Sequence, residues 1–153
     1  MYDQFMSRTY TNLLTHVVFS TKDREPLIRA EMKNELYAYL GELTKELKGK
    51  AYGINGIDDH VHMLVNLPPI VSVSDAMRFI KSNSSAWIHE RWTRLFNWQP
   101  GYGAFSVSKS NVPQVLNYIA NQESHHRKIA FREEFIGLLR KHGIDYDERY
   151  LWV

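Results

Sequence analysis

The segment over residues 51–67 constrains the fold of this chain more than any other feature. AYGINGI (51–57) and HVHMLVNL (60–67) have the composition of short β-strands. Asp58 and Asp59 stand between them, and aspartates favour tight turns. The sequence therefore predicts two adjacent strands joined by a short turn in the middle of the chain.

The patterns on either side of this hairpin extend it to a fold class. A β-rich run comes first, followed by a helical pattern that Pro26 opens and Gly49 ends. A second helix begins near Ser72 or Ser74, and a fourth strand and two further helices complete the chain. The β-α-β-β-α-β order predicts an α+β, ferredoxin-like (RRM-like) antiparallel sheet with additional C-terminal helices. Two helices are expected on one face of the sheet, and the other face is expected to be open.

His60 and His62 are expected to lie side by side on that open face. Side chains on a strand alternate between faces, so Val61, Met63 and Val65 would face the helices. Two neutral imidazoles can bind one divalent cation, although two ligands do not make a closed site. The alternative is a pair of half-exposed histidines with no function.

The first C-terminal helix, predicted over NVPQVLNYIANQESHH, offers further candidates. Its aliphatic residues share one side, whereas Tyr118 lies on the polar side with Gln122 one turn away. A tyrosine hydroxyl can act as a covalent nucleophile, and a glutamine carbonyl is an acceptable ligand for Mg²⁺ or Mn²⁺. A tyrosine at the surface, with its ring lying along the protein, is the alternative. His125 and His126 are left out of the predicted metal set.

The sequence argues against a membrane-spanning protein, a secreted protein, a disulfide-linked protein and a nucleotide-binding protein of the phosphate-binding-loop type. No apolar run approaches the roughly 20 residues needed to span a bilayer, and the first ten residues, MYDQFMSRTY, lack the hydrophobic stretch of a signal peptide. The chain has no cysteine, and GYG at 101–103 is not followed by the lysine and hydroxyl of a phosphate-binding loop. We expect a single domain over residues 1–153, in a reducing cytoplasm and with no membrane partner. The net charge of +2 limits any nucleic-acid surface to a local patch.

His60-Val61-His62 resembles the HUH motif of single-strand DNA nucleases. NYIANQESHHRK, with Tyr118 and Gln122, is similar to the catalytic helix of IS200/IS605-like single-tyrosine transposases, which include the REP-associated tyrosine transposases. The similarity covers nearly the whole chain, from THVVFSTKDREPLI to HGIDYDERYLW.

The resemblance implies a mechanism. His60, His62 and Gln122 would hold Mg²⁺ or Mn²⁺ against the scissile phosphate of single-stranded DNA, and Tyr118 would attack phosphorus to form a 5′-phosphotyrosine. A 3′-OH would later reverse the step and join the ends. The substrate would be the hairpin ends of a mobile element. The family also implies a homodimer with composite sites, in which the tyrosine helix of one subunit completes the histidine site of the other.

Residues that contact DNA are predicted from charge and helix faces. The predicted set is Arg78, Lys81, Ser82, Ser85 and Lys109. The alternative for the second helix is an ordinary solvated face. Two other functions stay open: another single-tyrosine HUH nickase of the initiator or relaxase type, and a non-catalytic RRM-like module that binds nucleic acid.

Overall fold

A four-stranded antiparallel sheet with strand order β2-β3-β1-β4 forms the centre of the molecule. The computed structural model describes residues 9–152, so the polar N-terminal stretch over residues 1–8 lies outside the described residues. The elements are β1 (Leu14–Ser20), α1 (Ala30–Glu46), β2 (Lys50–Ile57), β3 (His60–Asn66), α2 (Val73–Arg91) and β4 (Gly103–Ser106). This order and pairing confirm the predicted α+β, ferredoxin-like fold. Between residues 9 and 152, no helix combines the length and apolarity that a membrane crossing requires.

One face of the sheet packs on α1 and α2. Val61, Met63 and Val65 of β3 are buried there, as the alternation along the strand predicted, with Val17 and Phe19 of β1 beside them. The opposite alternation directs His60 and His62 away from this core. The predicted division of β3 into an apolar face and a histidine face is therefore confirmed.

The histidine face of the sheet is covered, and the prediction that it would be open is wrong. The covering elements are three C-terminal helices, α3 (Val112–Ala120), α4 (Gln122–His126) and α5 (Phe131–Lys141). Val18 and Phe105 on this face form an apolar cluster with Phe131 and Leu139 of α5. Burial of apolar area on both sides of the sheet explains the cover, since these side chains would otherwise stay in water.

The single helix predicted over residues 111–126 is interrupted at Asn121, which has φ −99° and ψ 25°. The Asn121 side-chain amide donates to the carbonyl of Asn117 at 2.9 Å. Asparagine side chains compete in this way with helical backbone bonds, which explains the break. Tyr118 therefore ends up in α3 and Gln122 at the start of α4.

The boundaries of α1 also differ from the prediction. The helix begins at Ala30 rather than at Pro26, because the Ile28 amide donates to the Asp58 carbonyl in the hairpin turn at 2.9 Å. At its end, Lys48 and not Gly49 has the left-handed φ, at 67°. A Cβ on Gly49 would lie 2.7 Å from the carbonyl oxygen of Asn66, so this glycine serves close strand packing.

Gly56 is predicted to be essential to the hairpin that carries the histidines. A Cβ at this position would overlap the carbonyl oxygen of His60 across the β2–β3 pair. We expect Gly56→Ala to lower the free energy of unfolding by about 1–3 kcal/mol, the usual cost of overpacking. Gly137 in α5 has open space around it, so Gly137→Ala is expected to raise stability by about 0.5–1 kcal/mol. Urea unfolding of both variants measures the difference, and equal effects would contradict the packing described here.

Candidate functional site

Strand β3 presents His60 and His62 toward the C-terminal helices, where both imidazoles are fully buried. The Nδ1 of His60 lies 2.7 Å from Oδ1 of Asp59, the neighbouring turn residue. The Nδ1 of His62 lies 2.8 Å from Nε2 of His16 on β1. These two partners fix the ring orientations and leave both Nε2 atoms facing the same point beneath α5.

The carboxylate of Glu134 occupies that point. Its Oε1 lies 3.2 Å from Nε2 of His60, 3.1 Å from Nε2 of His62 and 3.0 Å from Nε2 of His126. Glu134 stands on α5 and His126 ends α4, and each side chain is nearly inaccessible to solvent. One carboxylate oxygen is therefore shared by three imidazoles that come from different elements.

The second oxygen of Glu134 faces Tyr118 and Gln122. The Tyr118 hydroxyl donates a hydrogen bond to Oε2, and Nε2 of Gln122 donates to the same oxygen at 3.2 Å. Oε1 of Gln122 lies 3.0 Å from Nε2 of His60. The structure thus brings together the four predicted site residues, His60, His62, Tyr118 and Gln122, within one chain.

The electrostatics of the site centre on the Glu134 carboxylate. Burial alone raises its pKa, but hydrogen bonds from His126, His60 and His62 outweigh burial and hold the pKa well below its usual range. For His60, burial lowers the pKa, whereas the hydrogen bonds to Asp59 and Glu134 and their charges raise it to about 9. The metal-free site therefore contains a buried carboxylate paired with a protonated His60.

The neighbours of this pair are held neutral. Burial is the main cause that lowers the pKa of His16 to about 3, and the adjacent imidazole of His62 lowers it further. Burial also lowers the pKa of His62, against the opposing influence of Glu134. For Tyr118, burial raises the pKa, and the hydrogen bond and charge of Glu134 raise it further. The tyrosine hydroxyl therefore keeps its proton while it donates to Glu134.

Four side chains of this cluster have the donor types of a metal site. Ligand atoms from His60, His62, His126 and Glu134 all lie within 4.8 Å of one another. Three imidazole nitrogens and one carboxylate oxygen form a set that suits several divalent transition metals. The Nδ1 contacts of His60 and His62 supply the outer partners that usually orient such ligands.

The residues predicted to contact DNA are not gathered at this site. They are Arg78, Lys81, Ser82 and Ser85 on α2, and Lys109 in the turn before α3. Helix α2 packs on the opposite face of the sheet from Tyr118. Lys81 is partly buried, and its ammonium donates at 2.6 Å to the carbonyls of Gln99 and of Gly101. Burial lowers the pKa of Lys81 to about 8. The contacts with Gln99 and Gly101 indicate that Lys81 has a structural role in holding the segment before β4. DNA contact by this set stays a prediction.

Sequence reasoning missed Glu134, His126 and His16. The signal for Glu134 was present, because it falls on the apolar stripe of α5 between Phe131 and Leu138, where a carboxylate is out of place. His16 lies on the same face of β1 as the buried Val18. Its contact with His62 depends on the register between β1 and β3, which the sequence alone does not give. His126 had no comparable signal.

The raised pKa of His60 predicts a pH-dependent stability in the metal-free protein. Because the folded pKa of about 9 lies above the ordinary value of 6.5, protonated His60 stabilises the fold fully below pH 6.5. This stabilisation, on the order of 3 kcal/mol, is lost as the pH rises through 9. Urea unfolding in EDTA across this range measures it. Asp59→Asn is expected to flatten the pH profile, whereas Asp58→Asn, at the exposed turn neighbour, keeps it; an unchanged profile in Asp59→Asn would contradict the assignment.

Comparisons with known proteins identify the family of this chain. The model of the family described as Transposase IS200 like matches residues 9–122. The transposase for insertion sequence element IS200 of Salmonella typhimurium is 28% identical, over 78% of this chain and 83% of that protein. The ISDra2 transposase TnpA of Deinococcus radiodurans is 23% identical, over 70% of this chain and 81% of the relative.

Two solved structures share the fold. A transposase structure from Deinococcus radiodurans has a TM-score of 0.62 and 22% identity, covering 74% of this chain and 93% of that one. A REP-associated tyrosine transposase bound to a REP hairpin has a TM-score of 0.60 and 16% identity, covering 78% of this chain and 72% of that one. The family match ends at Gln122, before His126 and Glu134. It covers most of the chain, and the chain therefore belongs to the family of IS200-like DNA transposases.

Proposed function

We propose that this transposase cleaves and rejoins single-stranded DNA through a covalent bond to Tyr118, with a divalent metal ion held by the histidine cluster. The observation that carries the proposal is that the Tyr118 hydroxyl and the Nε2 atoms of His60 and His62 contact the same carboxylate, Glu134. The proposed nucleophile and the proposed metal ligands therefore share contacts with one carboxylate.

The proposed reaction uses these positions as follows. The phenolic oxygen of Tyr118 attacks the scissile phosphorus, forming an O–P bond and leaving a 5′-phosphotyrosine. The bond from phosphorus to the 3′ oxygen breaks, and that oxygen leaves as a free 3′-OH after taking a proton. Oε2 of Glu134 already accepts the hydrogen bond of the Tyr118 hydroxyl, which supports Glu134 as the group that orients the phenol for attack. Because the Glu134 pKa is held well below its usual range, the phenol proton passes to water rather than staying on this carboxylate. Attack by a 3′-OH on the phosphotyrosine reverses the sequence, joins the strands and frees Tyr118.

The proposed metal ligands are His60, His62 and Glu134, with His126 or Gln122 beside them. A bound divalent ion would act as a Lewis acid on the phosphate oxygens and as a template for the strand. Carboxylate and amide oxygens suit Mg²⁺ and Mn²⁺, whereas imidazole nitrogens suit the transition metals. Of the two ions predicted from the sequence, this mixed set favours Mn²⁺ over Mg²⁺.

We propose a hairpin end of a mobile element as the substrate. The relative with a bound REP hairpin supports this choice, because its fold is shared over 78% of this chain. No nucleotide hydrolysis is required, since the phosphotyrosine conserves the energy of the broken bond. We propose that residues 1–153 form one domain, and that the enzyme acts in the cytoplasm, where its DNA substrate lies.

The contacts described above favour a site completed within one subunit. Gln122 contacts His60 of its own chain, and Tyr118 contacts Glu134 of its own chain. The sequence-based prediction was a homodimer in which the tyrosine helix of one subunit completes the histidine site of the other. Dimer formation stays a prediction, and we propose that each subunit is catalytically complete whatever its oligomeric state.

The cover on the sheet argues against the RRM-like alternative. An RRM stacks bases on the exposed face of its sheet. Here that face carries fully buried histidines beneath α3, α4 and α5, so it offers no open stacking surface. The nickase alternative would cut and religate its own strand without mobilising an element, and an assay for transfer to a second strand separates the two.

Tyr118→Phe is expected to abolish covalent attachment to DNA. The substitution removes only the hydroxyl, so the fold should persist while adduct formation falls by more than about a thousandfold. The measurement is an incubation with hairpin-bearing single-stranded oligonucleotides and Mn²⁺, followed by denaturing electrophoresis. A second labelled strand with a 3′-OH reports joining.

Tyr52→Phe, at an exposed tyrosine of β2, is the matched control and should form the adduct normally. An adduct in Tyr118→Phe, or one of equal yield in EDTA, would refute the proposed roles. Mixing a His60→Ala, His62→Ala protein with Tyr118→Phe protein tests the arrangement within subunits. Sites completed within one chain give no adduct from the mixture, whereas sites shared between subunits restore it.

A further inference from the structure

A cavity of about 280 Å³ adjoins Tyr118 on the side away from the histidine cluster. It lies between the ends of strands β1 and β4, the first turns of α3 and the C-terminal end of α5. Tyr118 and His16 form the wall that it shares with the site described above. Its remaining lining residues take no part in the proposed metal centre or in the attack.

The location of this cavity limits what can occupy it. Any occupant lies directly beside the proposed nucleophile, whose hydroxyl contacts Glu134. The volume is slightly below the range of about 300–1,000 Å³ that is usual for pockets of drug-sized ligands. One unstacked nucleotide fits this size class, whereas a stacked run of several does not.

Part of the lining is apolar. Val107, Val115 and Leu138 line the cavity, and all three are partly buried. The ring of His142, at the end of α5, also lines it and stacks on Phe105 with ring centres 4.4 Å apart. Enzymes that bind an unstacked base hold its faces between apolar and aromatic side chains of this kind.

The rim supplies hydrogen-bonding groups and a positive charge. Asn111 and Gln114 line the opening, and within residues 9–152 neither side-chain amide has a hydrogen-bond partner. An amide offers both a donor and an acceptor, which match the edges of the bases. Lys141 also lines the opening, is exposed, and makes no ion pair in the described part of the chain. Its ammonium is available to a backbone phosphate.

We propose that this cavity binds one unstacked deoxynucleotide of the substrate strand, next to the scissile phosphate, and that it selects the base there. The base lies between Val115 and Leu138, Asn111 and Gln114 read its edge, and Lys141 pairs with its phosphate. This inference rests on the proposed function, because it assumes that Tyr118 attacks a DNA strand. It adds that side chains of the protein select the base at one position beside the cut.

The test is a cleavage-preference profile. Wild-type protein, Asn111→Ala and Gln114→Ala are incubated with Mn²⁺ and a single-stranded hairpin library that is randomised around the cut. Both the attached and the released strands are then sequenced. We expect the wild type to show a base preference at one flanking position, and we expect at least one amide variant to reduce that preference about tenfold. Asn34→Ala, at an exposed asparagine of α1 on the other side of the sheet, is the control and should keep the wild-type profile.

A second measurement isolates binding from cleavage. Tyr118→Phe protein is titrated with a fluorescent oligonucleotide that carries either an intact or an abasic nucleotide at the same flanking position. The abasic strand should bind about tenfold more weakly than the intact strand. Lys141→Ala should lower the affinity for both strands by the same factor, and Lys45→Ala on α1 is the control for this substitution. Equal affinity for the two strands would overturn the inference.

The outcomes separate this inference from the proposed function. An adduct with a flat preference profile, or with a profile that neither amide variant changes, overturns the base-selecting cavity and leaves the Tyr118 chemistry standing. Absence of any adduct from the wild type rejects both. Saturable binding of free deoxynucleoside monophosphates that matches the strand's affinity would assign the cavity to a mononucleotide and would also overturn the inference.

Discussion

The buried carboxylate of Glu134 is the contact on which the rest of the site depends. A charge removed from water is costly unless it is paired and hydrogen-bonded, and Glu134 meets that requirement with three imidazoles, a phenol and an amide. These partners come from β3, α3 and α4, whereas Glu134 itself stands on α5. A single anion therefore fixes three C-terminal helices over one face of the sheet and holds the proposed nucleophile beside the proposed metal ligands.

The partners of the two histidines extend this organisation outward. Asp59 contacts the far nitrogen of His60, and His16 contacts the far nitrogen of His62, at 2.7 and 2.8 Å. Asp59 belongs to the turn of the hairpin, and His16 belongs to β1, which pairs with β3. The orientation of the imidazoles thus follows from the hairpin itself, whereas the anion that they face arrives from the C-terminal helices. The site is built where these two parts of the chain meet.

The sequence predicted the parts of this structure that depend on local patterns. The hairpin and the two faces of β3 could both be read from periodicity and turn residues. The break at Asn121 could not, because it depends on a side-chain amide that competes with the backbone. The cover on the histidine face was also missed, since an amphipathic α5 indicates that something is buried without indicating where. Glu134 was visible only as a carboxylate on an apolar stripe, and its partners emerge from packing between distant segments.

The most direct test of this account is a calorimetric titration of Mn²⁺ into Glu134→Gln. The substitution keeps the volume of the side chain and removes the charge that faces the imidazoles. Glu133→Gln, at the exposed neighbouring position in the same helix turn, is the matched control. We predict that Glu134→Gln weakens Mn²⁺ binding by at least about tenfold while Glu133→Gln leaves it unchanged. Unaltered Mn²⁺ affinity in Glu134→Gln would contradict the claim that this carboxylate completes the histidine site.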